Sequence, residues 1–420
     1  MHSHLHTQES SHHGHGHHCE DRHSSHDAGS GGNSETEGDC EPSEQDAEQN
    51  ALADVVAAML CYKKYLLNSG IYRRLHHIDG LSERHRDIVA SLGTIDKIKD
   101  AERLVRENYQ FLLGLVHSSA FGVMPSPAES PAEFKEWYQK FLDARVRSGK
   151  TVVRDSFMDK VLSTLKQFVR DWSAEGREER QKTYLPIVDA LEAEFAGVQP
   201  EARGSIHVLV PGAGLGRLAF DICCRGFSSQ GNEFSYFMLF ASNFILNRSE
   251  TVEQHTIYPF VHHFSNVTAA SSQLRAVRIP DVLPSSLPYA ATADFSMTAG
   301  DFIEIYGAES ERAKWDAIVT CFFMDTAKNV LDYLDTMWHA MKPGAVWINL
   351  GPLLWHFDNI DGEMSVEFTR EEFLALVTKV GFVLDHDKTQ ENIPVPYTAD
   401  AQGMLQYTYN CFMCVAHKPT

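Results

Sequence analysis

Residues 205–217 constrain the fold more than any other stretch. SIHVLVPGAGLGR is a short apolar run that ends in glycines at 212, 214 and 216 and passes into a helix-forming segment. Strand, glycine turn and helix in that order belong to a sheet whose strands alternate with helices. The second half of the chain keeps this pattern. WDAIVTCFF and GAVWINLG are further short apolar strands, and helix-like segments such as NVLDYLDTMWHAMKPG separate them. Strands that are apolar throughout are buried on both faces, so the sheet is parallel and covered by helices on either side. GFVLDHDK and YTYNCFMCVAH follow with no helix between them, which predicts a closing antiparallel pair. The expectation is a Rossmann-like, doubly wound α/β unit over 196–420. It carries an insertion at about 248–293 (YPFVHHFSN and beyond) that has no clear period.

The first half reads differently. A chain of 420 residues exceeds the ~250–300 at which a single core stops growing. Residues 51–195 predict a helical domain, because ALADVVAAMLCYKKYLL and DIVASLGTIDKIKDAERLVRENYQFLLGLV carry apolar residues at three- and four-residue spacing. Ser130-Pro131-Ala132-Glu133 is a capping box with proline at the first helical position, so a helix starts there. Another runs from about Asp155 to Trp172, with Val161, Leu165, Phe168, Val169 and Trp172 on its buried stripe. Gln167 and Arg170 share the opposite face and read, by pattern alone, as solvent residues.

Residues 1–50 are polar and of low complexity, and such a segment cannot bury enough surface to order itself. They hold eleven Asp/Glu and one Arg, half of the formal net charge of −20. No basic face stands out, which argues against a nucleic-acid partner. Ten of the 22 histidines lie in the first 26 residues. Their imidazoles suit adventitious or regulatory zinc or nickel, not a catalytic metal. No apolar run reaches the ~20 residues of a membrane span, and the polar N-terminus is no signal peptide. The eight cysteines are scattered, not framed as disulfides, so a reducing cytosol or nucleus is expected. Cys411-x-x-Cys414 sits in a strand-like run, where residues three apart face opposite sides, against a redox pair.

The motifs that carry chemistry all fall at expected strand ends. Gly212, Gly214 and Gly216 let the backbone approach a ligand and expose N–H groups at a helix N-terminus. A dinucleotide fingerprint is G-x-G-x-x-G; here the third glycine comes one residue early and Arg217 follows. That favours S-adenosylmethionine, and with it the methyltransferase variant of the fold. Glu233 in QGNEFS, seventeen residues past Gly216, falls where a second strand ends. It either accepts ribose hydroxyls or caps a helix. Asp301 and Phe302 follow FSMTA, where an acid can take an adenine amino group and a ring can stack. In Cys321-Phe-Phe-Met-Asp325, the acid either faces the transferring methyl or caps a helix beginning at Thr326. His356 in GPLLWHF follows the fifth strand, and a lone histidine there is equally a structural residue. Tyr397, Tyr407 and Tyr409 read by default as packing.

Taken together, KQFVRDWS, PGAGLGRLAFDI, QGNEFSYFMLFASNFILN, MTAGDF, TCFFMDTA and INLGPLLWHF resemble carnosine N-methyltransferases over roughly 51–420. The resemblance implies a class I methyltransferase sheet and methyl transfer from S-adenosylmethionine to an imidazole nitrogen of carnosine, giving anserine. It implies that Gln167 and Arg170 join the glycine loop, Glu233, Asp301, Phe302 and Cys321 in the cofactor site, against the solvent reading. It implies that Asp325, His356 and Tyr409 hold the acceptor, with Tyr407 and Tyr397 beside them. ENIPVPYT, which leads into Tyr397, departs from the family pattern. Other imidazole peptides or proteins as acceptors stay open, as does a non-catalytic adenosyl-binding scaffold. A homodimer is equally open.

Overall fold

The computed structural model describes residues 44–119, 123, 130–149, 153–289 and 291–420. The His-rich segment up to residue 43, with Cys19 and Cys40, lies outside them. Helix α1 (Glu44–Leu66) begins inside the stretch expected to be tail, so that stretch is helical from Glu44 onward. A π-helical turn, Leu67–Tyr72, leads into α2 (Arg73–Asp79) and α3 (Glu83–Ser91). The long periodic run that reads as one helix is in fact two. Gly93 takes a φ of 70°, and α4 (Thr94–Ser119) starts beyond it. In α5 (Pro131–Arg147) the Ser130 hydroxyl accepts the Glu133 N–H, the cap that the sequence predicts. Helices α6 (Asp155–Trp172) and α7 (Arg177–Glu194) lead to the sheet.

The remaining elements alternate. Strand β1 (His207–Pro211) precedes α8 (Arg217–Cys223), and β2 (Ser228–Glu233) precedes α9 (Tyr236–Arg248). The insertion holds a small antiparallel pair, β3 (His255–Ile257) and β4 (Val277–Ile279), flanking α10 (Ala270–Gln273). Then come β5 (Phe295–Ala299), α11 (Phe302–Tyr306), β6 (Trp315–Cys321) and α12 (Val330–Ala340). Strand β7 (Met341–Gly351), α13 (Arg370–Val380), β8 (Val383–Val395) and β9 (Tyr409–His417) complete the chain.

The main sheet has the order β5-β2-β1-β6-β7-β9-β8. The first five strands in this order pair in parallel, and β9 pairs antiparallel with both β7 and β8. This is the parallel-dominated α/β sheet with a closing antiparallel pair that the sequence predicts. The order reverses between β1 and β6, and ligands of such sheets bind over the strand ends at that switch.

Helix α6 ties the two halves of the chain together. Its Phe168 and Trp172 share one buried cluster with Leu112 of α4, with Phe220 and Phe244, and with Ile257 and Val277 of the insertion. The Trp172 indole N–H donates to the Leu215 carbonyl at 3.1 Å, inside the glycine loop. The Arg217 guanidinium donates to the Asp171 carbonyl at 2.7 Å. These two bonds set the last turn of α6 against the loop.

Candidate active site

Every motif of interest reaches the same edge of the sheet, where β1, β2, β5, β6 and β7 end. The loop after β1 is shaped by glycine. Gly214 has φ +56°, and a Cβ built there stands 3.7 Å from a carboxylate oxygen of Asp171. Gly212 has φ +65°, and a Cβ there would lie 2.6 Å from the Phe323 ring. Backbone conformations of this hand cost a side chain-bearing residue about 1–2 kcal/mol.

Glu233 stands at the end of β2 and organises the loop beside it. One of its oxygens accepts the Gly214 N–H at 2.8 Å; the other accepts those of Phe234 and Ser235 at 2.9 and 2.8 Å. Burial raises its pKa, and the three N–H donors pull it partly back. Asp301 caps α11 through the Ile303 and Glu304 N–H groups. Phe302 is buried edge-on against Phe323 and Tyr333, at 5.4 Å from each.

Gln167 and Arg170 are not solvent residues. They are only 8% and 7% exposed, because α6 is covered on both sides. The Gln167 amide donates to the Tyr397 hydroxyl at 2.9 Å. The Arg170 guanidinium lies 4.6 Å from the Tyr397 ring centre and 2.8 Å from Glu179. Desolvation works against its charge, but Tyr184, Tyr397, Asp171 and Glu179 carry its pKa well upward. Its Nη2 is buried with no hydrogen-bond partner among the described residues. A buried, permanently charged donor of this kind calls for an anionic partner.

S-adenosylmethionine fits this donor set. Its amino-acid carboxylate matches the open Arg170 nitrogen, and the lone pairs left on Glu233 match a pair of ribose hydroxyls. Burial pushes the Cys321 thiol up to about 12, so it is a neutral wall and not a nucleophile.

Asp325 is 3% exposed just past the end of β6. It caps no α-helix. Residues Met324–Thr326 form a single 3₁₀ turn, and α12 begins at Val330 under an Asn329 cap. That removes the capping alternative. Its carboxylate accepts the Leu354 N–H at 2.8 Å, and its carbonyl accepts the His356 N–H at 3.0 Å. Burial pushes its pKa up to about 7, against the pull of backbone N–H groups. His356 is exposed; desolvation lowers its pKa and the charge of Asp358 pulls it partly back. Tyr409 is half-buried and within electrostatic reach of Asp325. Tyr397, in the stretch that departs from the family pattern, occupies a central place: its ring packs 4.7 Å from Phe322 and 6.5 Å from Tyr409. Tyr407 is 66% exposed.

Four residues of the site escape sequence reasoning. Glu179 pairs with Arg170 and accepts the Thr398 N–H at 3.2 Å, so it links α7 to the Tyr397 segment. Tyr184 donates to Asp171 at 2.7 Å. Phe322 adopts a left-handed φ of 54° and places its ring between Arg170, Tyr397 and Tyr409. Strain of this kind gathers at functional sites. A cleft of about 490 Å³ opens between α7 and α8, walled by Arg180, Arg217, Asp221 and Asp281; Tyr184 lines it, and none of the residues expected from the sequence does. Cys411 and Cys414 are free, lie in different buried clusters, and have thiols pushed up to about 12 by burial, which leaves no redox pair.

Comparison with known proteins adds an independent finding. The chain is 48% identical over 276 residues to carnosine N-methyltransferase of Rattus norvegicus, an alignment that covers 65% of this chain and 66% of that protein. The chain thus spans just under two thirds of that relative's length. It is 37% identical over 375 residues to carnosine N-methyltransferase of Schizosaccharomyces pombe, covering 86% of this chain and 94% of that one. A solved structure, Haemonchus contortus phosphoethanolamine N-methyltransferase 2 in complex with S-adenosyl-L-methionine, is a weaker likeness. Its TM-score is 0.38 at 12% identity, over 64% of this chain and 59% of that one. The family profile described as carnosine N-methyltransferase matches residues 148–420, from the C-terminal cap of α5 to the end of the given chain, and so takes in every site residue described above. The chain belongs to the carnosine N-methyltransferase family, a family of S-adenosylmethionine-dependent methyltransferases.

Proposed function

We propose that this protein methylates a ring nitrogen of carnosine, giving anserine, with Asp325 as the residue that holds the acceptor ring. The observation that carries this is Asp325 itself: a buried carboxylate at the strand-end switch point that caps no helix, with His356 and Tyr409 beside it. When bound, S-adenosylmethionine supplies an electrophilic methyl group on a good leaving group. The chain's own residues then have mainly to position the acceptor, which can supply about 7–11 kcal/mol of the barrier. Ionised Asp325 accepts the N–H of the far ring nitrogen. That fixes the tautomer, leaves the near nitrogen's lone pair free, and stabilises the positive charge that grows on the ring. Neutral His356 and Tyr409 orient ring or peptide.

The same reading keeps Gln167, Arg170, Glu233, Asp301, Phe302 and Cys321 as the cofactor's contacts. It keeps the cytosol or nucleus as the compartment, supported by cysteines that are free among the described residues. No described helix is long and apolar enough to cross a membrane. Incubation with methyl-labelled S-adenosylmethionine and a panel of carnosine, homocarnosine, histidine and histidine-containing peptides tests the acceptor. Label should enter carnosine fastest; label confined to proteins or long peptides would point to protein-histidine methylation.

The pH profile has a defined sign. Turnover requires Asp325 ionised, with a pKa near about 7, and the acceptor ring neutral, with a pKa of about 6.5. Both conditions fail as pH falls. Log kcat/KM should therefore drop with a limiting slope of about two on the acid side. In Asp325→Asn, over the range where His356 with its lowered pKa stays neutral, only the substrate titrates, so the slope there should be about one. Equal slopes in the two proteins contradict the assignment.

A further inference from the structure

The insertion between α9 and β5 has no assigned task, yet it binds the helix that carries Gln167 and Arg170. Helix α6 ends at Trp172, and a helix leaves its last four carbonyls without an intrahelical donor. Here each of the four has a donor. The Ser173 hydroxyl donates to the Val169 carbonyl at 2.6 Å. The Arg180 guanidinium donates to the Arg170 carbonyl at 2.6 Å, and also to that of Ser173 at 3.0 Å. Arg217 donates to the Asp171 carbonyl at 2.7 Å, and the Asp281 N–H donates to that of Trp172 at 2.9 Å.

The Asp281 side chain then joins two of these donors. One of its oxygens accepts from Arg180 at 2.5 Å, and the other accepts from Arg217 at 2.6 Å. All three side chains are a tenth exposed or less. Arg217 has a second acid in Asp221 at 2.8 Å, whereas Arg180 pairs with no other acid among the described residues. The three residues come from separate elements. Asp281 follows β4 by two residues, Arg180 lies on α7, and Arg217 opens α8 directly after Gly216. One carboxylate of the insertion therefore holds the end of α6, the start of α7 and the glycine loop in a single arrangement.

Those elements carry the two ends of the proposed cofactor site. Arg170 lies in the last turn of α6, and the Gly214 N–H meets Glu233 in the loop. We infer that Asp281 is a positioning residue, which sets the distance between the site for the cofactor's carboxylate and the site for its nucleoside. This rests on the reading that Arg170 takes that carboxylate. A ligand that spans both sites depends on their spacing, and a site about 1 Å too loose is a poor one. A ligand that fills only the nucleoside site does not depend on it.

S-adenosylhomocysteine spans both sites, and 5′-methylthioadenosine carries the same nucleoside without the amino-acid end. Calorimetry with both ligands separates positioning from a general loss of structure. The wild type should bind S-adenosylhomocysteine more tightly by about tenfold or more, as for a hydrogen bond between charged groups. Asparagine at 281 keeps the N–H bond to Trp172 but cannot neutralise two guanidiniums. Asp281→Asn should weaken S-adenosylhomocysteine by about tenfold and 5′-methylthioadenosine by less than about twofold. Where Asp281→Asn fails to fold, Arg180→Lys carries the same test, because one ammonium cannot serve two carbonyls and a carboxylate in the guanidinium's geometry. A loss shared equally by both ligands, or no loss of either, overturns the positioning role alone. A wild type that binds the two ligands alike overturns the Arg170 reading, and the positioning role with it.

Discussion

Asp325→Asn should cut turnover on carnosine by about a hundredfold or more, in line with other lost electrostatic stabilisers. Asparagine is isosteric, and its side-chain oxygen can still accept the Leu354 N–H that Asp325 accepts at 2.8 Å. What it cannot supply is negative charge against a ring that becomes cationic. The fold should not suffer. The pKa of Asp325 is raised from 3.8 to about 7 in the folded protein. Its stabilising contribution is therefore fully present below the unfolded value and lost as pH rises through about 7. At pH 8 the buried carboxylate is a burden that asparagine removes, so the variant should melt no lower than the wild type. Calorimetry with S-adenosylhomocysteine should give unchanged affinity, because Asp325 is not among the contacts expected for the cofactor, which lie on α6, the glycine loop and the ends of β2, β5 and β6. Wild-type turnover in a folded Asp325→Asn would assign the ring to another residue, with His356 the next candidate.

Gly214→Asp should abolish cofactor binding, weakening S-adenosylhomocysteine by about a hundredfold or more, since like charges brought together cost several kcal/mol. The new side chain starts 3.7 Å from the Asp171 carboxylate, on a residue whose N–H is held by Glu233. Three carboxylates would then share the space where a nucleoside must lie against bare backbone. Gly214→Ala separates this from strain alone. Its methyl meets nothing closer than ordinary contact, so it bears only the backbone cost of about 1–2 kcal/mol and should retain binding. Calorimetry in which both variants bind like the wild type would remove the glycine loop from the cofactor site.

The strand ends were legible because their signals are local. Glycine spacing, apolar run length and the absence of a helix before YTYNCFMCVAH each reflect backbone geometry at one place in the chain. They located β1, β2, β5, β6 and β7, and through them Glu233, Asp301 and Asp325. The helix wheel of α6 was misleading for Gln167 and Arg170. The wheel separates an apolar stripe from a polar face, but it cannot tell a face in water from one covered by α7 and the Tyr397 segment. Asp171, Glu179 and Tyr184 acquire their roles only when α6 and α7 meet. The left-handed backbone of Phe322 is set by its position after β6, not by its identity, since few phenylalanines adopt it. The insertion gave no period because β3 and β4 are three residues each, too short to show one. The break at Gly93 was a single glycine in an otherwise helical pattern, which is tolerated as often as it terminates.

The most direct test of the whole account is the product itself. Carnosine turned over with methyl-labelled S-adenosylmethionine should yield one dipeptide product. Its proton spectrum should show a single new N-methyl signal in contact with the imidazole C–H protons, and an unchanged β-alanyl amine. A methyl group on the amine or the carboxylate, or label transferred with no methylated dipeptide formed, would contradict the claim that this site presents an imidazole nitrogen to the cofactor.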